Sequence, residues 1–354
     1  MDILAIVERI GEAPSAALFG LMTGVIFGVA AQRSAFCLRA STVEFARGSL
    51  GPRMAVWLLC FSTALVWVQG AELGGLMRSD EARMMAVTGS YSGAIIGGLI
   101  FGAGMVLARG CPGRLLVLAA TGNLRSVVSG LIFAVLAQMS LHGWLSPLRD
   151  TLAALWITEG GRNVNLISAA GLPDHAGLLL GVGFAAVALW MARRNRISFR
   201  KLFFGAGVGF AVAVGWVLTF GLSQVSFDPV TIESITFTGP SANTLMFFLE
   251  RPALLHFDIG LVPGVFLGSF LAAWVTRELK FQGFEKEVDM RKAMIGAALM
   301  GFGGMLAGGC SIGAGVTGAS IFAGTMWLAL VSMWIGGIAT DYLIDQPKGA
   351  AKPV

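Results

Sequence analysis

Apolar residues are gathered into nine long runs separated by polar stretches: Ala16 to Phe36, Met54 to Gly70, Ala86 to Ala108, Leu124 to Leu141, Ala176 to Ala192, Leu202 to Leu222, Ile259 to Val275, Ala293 to Ala307 and Gly324 to Leu343. A helix crossing the hydrocarbon core of a bilayer needs roughly 17 to 25 such residues, so the pattern predicts an all-α polytopic chain of about nine transmembrane helices. Two runs end abruptly, at Gly110-Cys111-Pro112-Gly113 and at the glycine-rich stretch from Gly308 to Gly315. Pro112 has no backbone N–H to give and glycine disfavours helix, so each helix is expected to break there into short or re-entrant pieces. Irregular backbone at membrane depth survives only where it is packed in protein or lines a polar cavity. Both breaks are therefore expected beside a pathway.

The breaks also resemble each other. Phe101 to Cys111 (FGAGMVLARGC) and Met300 to Cys310 (MGFGGMLAGGC) match at Gly102/Gly301, Gly104/Gly303, Leu107/Leu306, Ala108/Ala307, Gly110/Gly309 and Cys111/Cys310. Pairing the first four runs with the last four leaves Ala176 to Ala192 over, and one extra crossing turns the second unit upside down. The expected organisation is a first repeat over residues 1–175, a linking span with a basic loop over 176–201, and an inverted second repeat over 202–354. Inverted repeats with discontinuous helices meeting near the midplane are the architecture of small-solute transporters.

Lys and Arg set the orientation. They collect at Arg39, Arg47 and Arg53, at Arg109, Arg114 and Arg125, in the Arg193 to Lys201 cluster, in the Arg277 to Lys292 linker, and at Lys348 and Lys352. Basic loops stay cytoplasmic, which predicts the N-terminus outside and the C-terminus inside. The long outside loops, His142 to His175 and Ser223 to Asp258, each hold an amphipathic stretch, near Leu145 to Ile157 and Ala242 to Leu249, expected to lie on the membrane surface.

Composition removes other classes. With 56% hydrophobic and 13% charged residues, against about 25% charged for a soluble domain, the chain is built for lipid. The net basic charge lies in short loops, so no nucleic-acid face is expected. Met1 to Gly20 carry Glu8 and Arg9 and lack the basic start and cleavage site of a signal peptide. Cys37, Cys60, Cys111 and Cys310 form no Cys-x-x-Cys pair, which argues against a disulfide framework. His142, His175 and His256 fall in loops and no Asp or Glu falls deep in a run, so neither a metal site nor a proton relay is visible, and transport is expected without tight ion coupling.

The chemistry then rests on the thiols. Cys60, inside WLLCFS with no break beside it, reads as a small buried hydrophobe. Cys111 and Cys310 follow a glycine at matched breaks, and Cys37 ends the first run between Gln32, Arg33 and Arg39. A thiol is a weak donor and a soft, polarizable partner, suited to a solute containing sulfur or something equally soft. Gly110, Gly309, Gly313 and Gly315, clustered at the breaks, are expected to open backbone to that solute, with Ser311 supporting the pathway. Gln32, Arg33 and Arg109 are expected to support it, arginines near the thiols attracting an anion, with the positive-inside rule as the plainer account of the outer members. The remaining glycines, among them Gly20, Gly24 and Gly28, read as small-xxx-small packing faces. A channel or transporter for another small anion, and a thiol-dependent membrane redox enzyme, are the competing readings.

FGVAAQRSAFC (Phe27 to Cys37), FGAGMVLARGC and MGFGGMLAGGCSIG (Met300 to Gly313) together resemble the signature segments of the YeeE/YedE family of sulfur-transport membrane proteins, over a region from about Gly20 to Leu343. The resemblance implies an hourglass of nine spans in the bacterial inner membrane, with short helices dipping to the centre. It implies that Cys37, Cys111 and Cys310 mark a narrow conduit for thiosulfate, handed along by weak thiol hydrogen bonds without large rocking motions. Some relatives handle other sulfur or selenium compounds. The family further implies a transporter rather than an enzyme, no cofactor, and a cytosolic TusA-like sulfur-carrier protein as partner, for which the Arg277 to Lys292 linker is a possible dock.

Overall fold

A computed structural model describes residues 3–250, 254–283 and 287–345. Lys348 and Lys352, and positions 284–286 of the basic linker, lie outside the described residues. The helices, in chain order, are α1 (Ile3–Ile10), α2 (Glu12–Ser34), α3 (Leu38–Ala46), α4 (Pro52–Leu73), α5 (Arg83–Ala86), α6 (Tyr91–Leu107), α7 (Pro112–Ala120), α8 (Leu124–Leu141), α9 (Ser146–Ala154), α10 (Leu166–Ala169), α11 (Ala176–Arg194), α12 (Phe199–Ser223), α13 (Thr238–Phe247), α14 (Phe257–Val275), α15 (Glu287–Leu306) and α16 (Gly324–Thr340), with a π-helical segment at Gly313–Gly318. Among the described residues there is no β-sheet, only isolated bridges between loops.

Each of the nine apolar runs contains a long helix, the third starting only at Tyr91, and eight of the helical stretches are long and apolar enough to cross a membrane. The ninth run lies in α15, whose opening turns carry Glu287, Asp289, Arg291 and Lys292. Those charges lower its hydropathy, although Ala293, Gly296, Ala297 and Met300 further along are buried. The chain is an all-helical, multi-pass membrane protein.

Glycine decides how closely the helices meet. Gly20, Gly24 and Gly28 on α2 lie against the backbone carbonyls of Phe257, Leu261 and Val265 on α14, and Gly260, Gly264 and Gly268 of α14 lie against Ala17, Leu21 and Val25. A Cβ at any of these six would strike backbone, which cannot swing aside as a side chain can. The two glycine stripes thus bring the helix backbones into direct contact, and Ser269 Oγ donates to the Gly28 carbonyl across the seam at 3.1 Å. In the same way Gly97 and Gly104 seat α6 on Gly303 and Gly296 of α15, while Gly98 and Gly102 seat its other side on α16.

The packing pairs fall into matched sets. α2 packs on α14 as α4 packs on α12; α6 packs on α16 as α8 packs on α15; and α6 meets α15. The short elements follow suit, with α3 on α4 matched by α13 on α14, and α7 on α8 matched by the π-helical segment on α16. α11 stands apart from these pairs and leans on α4, where Gly177 and Gly181 meet Gln69, Leu65 and Val66.

Two expectations are corrected. The stretch near Ala242 to Leu249 does not lie wholly on the surface: α13 carries it as far as Phe247, buries Thr238, Pro240 and Ala242 and is wedged against α8, α14 and α15, while Phe248 and Leu249 beyond it are exposed. Its counterpart near Leu145 to Ile157, by contrast, forms α9, which buries no residue. Carboxylates also lie deeper than the sequence indicates. Asp341 is fully buried and bonds Arg47 at 3.1 Å, and Asp258 belongs to the first turn of α14, only 7% exposed. The apolar run begins one residue after Asp258, so a hydropathy reading assigns it to the loop.

Candidate substrate pathway

All three cysteines singled out in the sequence sit at the same local device. Ala35, Arg109 and Gly308 take left-handed φ angles of 55°, 57° and 77°, each two residues before Cys37, Cys111 and Cys310. A left-handed residue ends a helix by turning the chain out of it, at some steric cost where the residue is Ala or Arg rather than Gly. The chain is thereby reversed, and a short element starts just after the thiol. Cys37 is the N-cap of α3 and Cys111 the N-cap of α7, with Pro112 at the first helical position where its missing N–H costs nothing.

These starts converge. Gly113, in the first turn of α7, lies against Ile312 and the Phe237 ring, so that a Cβ there would meet Ile312 Cδ1 at 2.5 Å. Gly313 is packed on Thr236, leaving no room for a side chain. The Cys111 thiol is within electrostatic reach of Cys37 and Cys310 and within interaction distance of Ser311. Cys310 and Cys111 are buried and Cys37 is half-buried; all are free thiols. The Gly313 N–H donates to Cys310 Sγ at 3.4 Å, and Thr236 Oγ1 lies 3.9 Å from the same sulfur. The Ser311 hydroxyl faces the Cys111 thiol, and the Thr238 hydroxyl is buried without a hydrogen-bond partner.

Two residues of this cluster escape a hydropathy reading. Arg114, in the first turn of α7, lies within electrostatic reach of Cys37 and Cys111, with Arg53 also nearby. One of its guanidinium nitrogens is buried without a hydrogen-bond partner. Its neighbours in sequence suggest an ordinary inside-loop arginine, yet its charge lies beside the thiols. Thr236 stands just ahead of α13, the element matched to α3, so Phe237 occupies the N-cap place that Cys37 holds in the first half. The visible signal is Thr238-Gly239-Pro240, a break similar in kind to Cys111-Pro112-Gly113.

The other predicted supporters are engaged elsewhere. Arg33 bonds Glu278 at 3.2 Å, and Gln32 donates to the same carboxylate at 3.2 Å, which ties the end of α2 to the segment after α14. Arg109 pairs with Asp289 at 3.1 Å and is 45% exposed. Gly110 has only ordinary contacts, to Leu115 and Arg114, whereas Gly309 is tight against Ala314 N at 3.0 Å. Cys60 is fully buried in α4 near Gly205 of α12, as a packing residue should be.

The profile of the family described as Sulphur transport matches residues 33–339, a stretch that includes every element of this cluster. The chain belongs to the sulphur-transport family. Over 347 residues this sulphur-transport protein is 26% identical to the thiosulfate transporter TsuA of Escherichia coli strain K12, covering 92% of this chain and 94% of that one. Over 341 residues it is 28% identical to the thiosulfate transporter TsuA of Spirochaeta thermophila, covering 92% and 98%. The family match over residues 33–339 of a helical membrane chain, with relatives named as transporters over 92% of it, makes this a transport protein and not an enzyme.

Proposed function

We propose that this sulphur-transport protein takes up thiosulfate, or a closely related inorganic sulfur anion, across the bacterial inner membrane along a path marked by Cys37, Cys111 and Cys310. The observation that carries the reading is the meeting of three free thiols and Arg114 at the starts of short helices. Thiosulfate has a charged oxygen end and a soft terminal sulfur. Helix N-termini present unpaired backbone N–H groups and a positive dipole end, and together with Arg114 they offset the anion's charge. The S–H groups donate weakly to the terminal sulfur, which is polarizable enough to accept from them. Three thiols close together let the ion pass from one to the next with little rearrangement, because no single contact holds it tightly.

The matched packing pairs support two inverted repeats, residues 1–175 and 202–354, with 176–201 as the linking span. The basic clusters support the N-terminus outside and the Arg193 to Lys201 loop in the cytosol. On that inner side the segment after α14 is pinned to the α7–α8 turn, Lys280 N–H donating to the Thr121 carbonyl at 3.2 Å and Gln282 N–H to the Gly122 carbonyl at 3.0 Å. A cytosolic TusA-like carrier docked there would receive sulfur directly below α7.

Expression in a strain lacking its own uptake routes is expected to restore growth on thiosulfate as sole sulfur source. Growth that stays absent while the protein is present in the membrane would refute the reading. For orientation, single cysteines placed at the exposed positions Arg196 and Asp174 in an otherwise functional protein should differ toward an impermeant thiol reagent on intact cells. Labelling is expected at Asp174 and not at Arg196, and the reverse pattern would invert the topology.

A further inference from the structure

A cavity of about 440 Å³ opens between the starts of α2 and α14 and the end of α12. Among its lining residues are Arg83, Glu233, Asn243, His256 and Asp258. Thr236, which touches Cys310, follows Glu233 by three residues, so the cavity lies next to the thiol cluster along the chain. Arg83 also lines a second cavity of about 230 Å³ that reaches Gly308, the left-handed turn before Cys310. One guanidinium thus borders both openings on this side of the protein.

The charges around it do not balance. Arg83 approaches Glu233 at a loose 3.7 Å and is 48% exposed, while Glu233 is 12% exposed. Asp258 accepts from Asn243 Nδ2 at 2.8 Å on Oδ2, but its Oδ1 is buried with no partner. A buried carboxylate oxygen without a donor is costly as an anion and much less so as an acid. The other titratable groups facing the pair are His256 at the N-cap of α14, Glu12 in the first turn of α2, and Asp228 in the loop after α12. Glu12 is occupied with the backbone N–H groups of Phe227 and Asp228. Among the described residues, two buried carboxyls therefore share one exposed arginine.

We propose that Glu233 and Asp258 form a proton-binding site in this cavity, and that the site must hold its proton for the anion to pass Arg83 toward Cys310. Ionised, the pair binds Arg83 and repels a dianion; with one proton bound, Arg83 is released to receive it. Burial first, and then the nearby Asp258 charge, push the Glu233 carboxyl up to about 8. A raised carboxyl is protonated below that value and ionised above it, so the site is filled at neutral pH and emptied in alkali. Thiosulfate itself remains a dianion throughout, so any change with pH belongs to the protein.

The inference rests on the transport reading, and the test separates the two. Purified protein in liposomes, with the same pH inside and out, is loaded with thiosulfate at pH 6 and at pH 9. A single site titrating near 8 predicts a roughly tenfold fall in initial uptake rate at pH 9. Glu233→Gln, which keeps the shape and removes the titration, is expected to hold its rate within about twofold between the two conditions, and Asp258→Asn to flatten the profile likewise if the first variant accumulates poorly. A flat wild-type profile, or variants that keep the wild-type fall, would overturn the proton site while leaving transport intact. No thiosulfate uptake at either pH would instead strike the transport reading.

Discussion

Cys111→Ala and Cys310→Ala are each expected to cut thiosulfate uptake by roughly ten- to a hundredfold, because a hydrogen bond to a charged partner contributes about 1.5 to 3 kcal/mol. The double variant should fall to background. Both thiols lie in the matched device of left-handed residue, cysteine and short element, and neither is a bulky core residue, so the proteins should still accumulate in the membrane. Cys60→Ala is the control. That thiol is equally buried, but it packs α4 against α12 away from any break, and its loss should leave uptake near wild type. The comparison is made in one strain with radiolabelled thiosulfate and membrane protein levels measured alongside. Wild-type uptake by the double alanine variant would remove the thiols from the mechanism.

Arg114→Gln is expected to cost about as much. A unit charge 4 Å from an anion is worth about 4 kcal/mol at an effective dielectric of 20, and the lost desolvation penalty of a half-buried guanidinium returns part of that. A fall in uptake of about tenfold or more follows, with Arg114→Lys retaining most of the activity since the charge survives. Arg109→Gln provides the contrast, because Arg109 faces Asp289 at 3.1 Å and not the thiols. Equal losses in Arg114→Gln and Arg109→Gln would show that general positive charge on this face matters and that Arg114 has no special place.

The hydropathy pattern carries the helices well because burial in lipid is a property of whole segments: α8 begins and ends where the apolar run does, and each of the nine runs contains a long helix. The matched Gly-Cys motifs carry the device for the same reason, since glycine and proline mark breaks locally. What the sequence conceals depends on tertiary neighbours. Arg114 differs from Arg109 only in which way its turn points, and Arg33 looks like an isolated charge until Glu278 arrives from a distant part of the chain. Thr236 has no thiol to draw attention, and α13 looks amphipathic until α8, α14 and α15 surround it. Asp258 hides at a helix boundary, where hydropathy is least informative.

Its carboxyl also alters the energetics expected from the sequence alone. Moving a dianion into a negative interior costs roughly twice the 2.3 kcal/mol per charge per 100 mV, and helix dipoles at the centre lower the barrier but not this end-to-end cost. A proton bound at Glu233 and Asp258 removes a negative charge where the anion enters and frees Arg83 to meet it, which lowers the entry barrier and leaves the end-to-end cost unchanged.

Selectivity tests the central claim most directly. Sulfate has the charge and shape of thiosulfate without the terminal sulfur, so only a soft contact tells them apart. Initial rates of thiosulfate and sulfate uptake should be measured in the same liposomes for the wild type and for Cys111→Ser with Cys310→Ser, which keeps hydrogen-bonding groups but replaces soft sulfur by hard oxygen. The account predicts strong preference for thiosulfate in the wild type and its loss in the serine variant; an unchanged preference would contradict it.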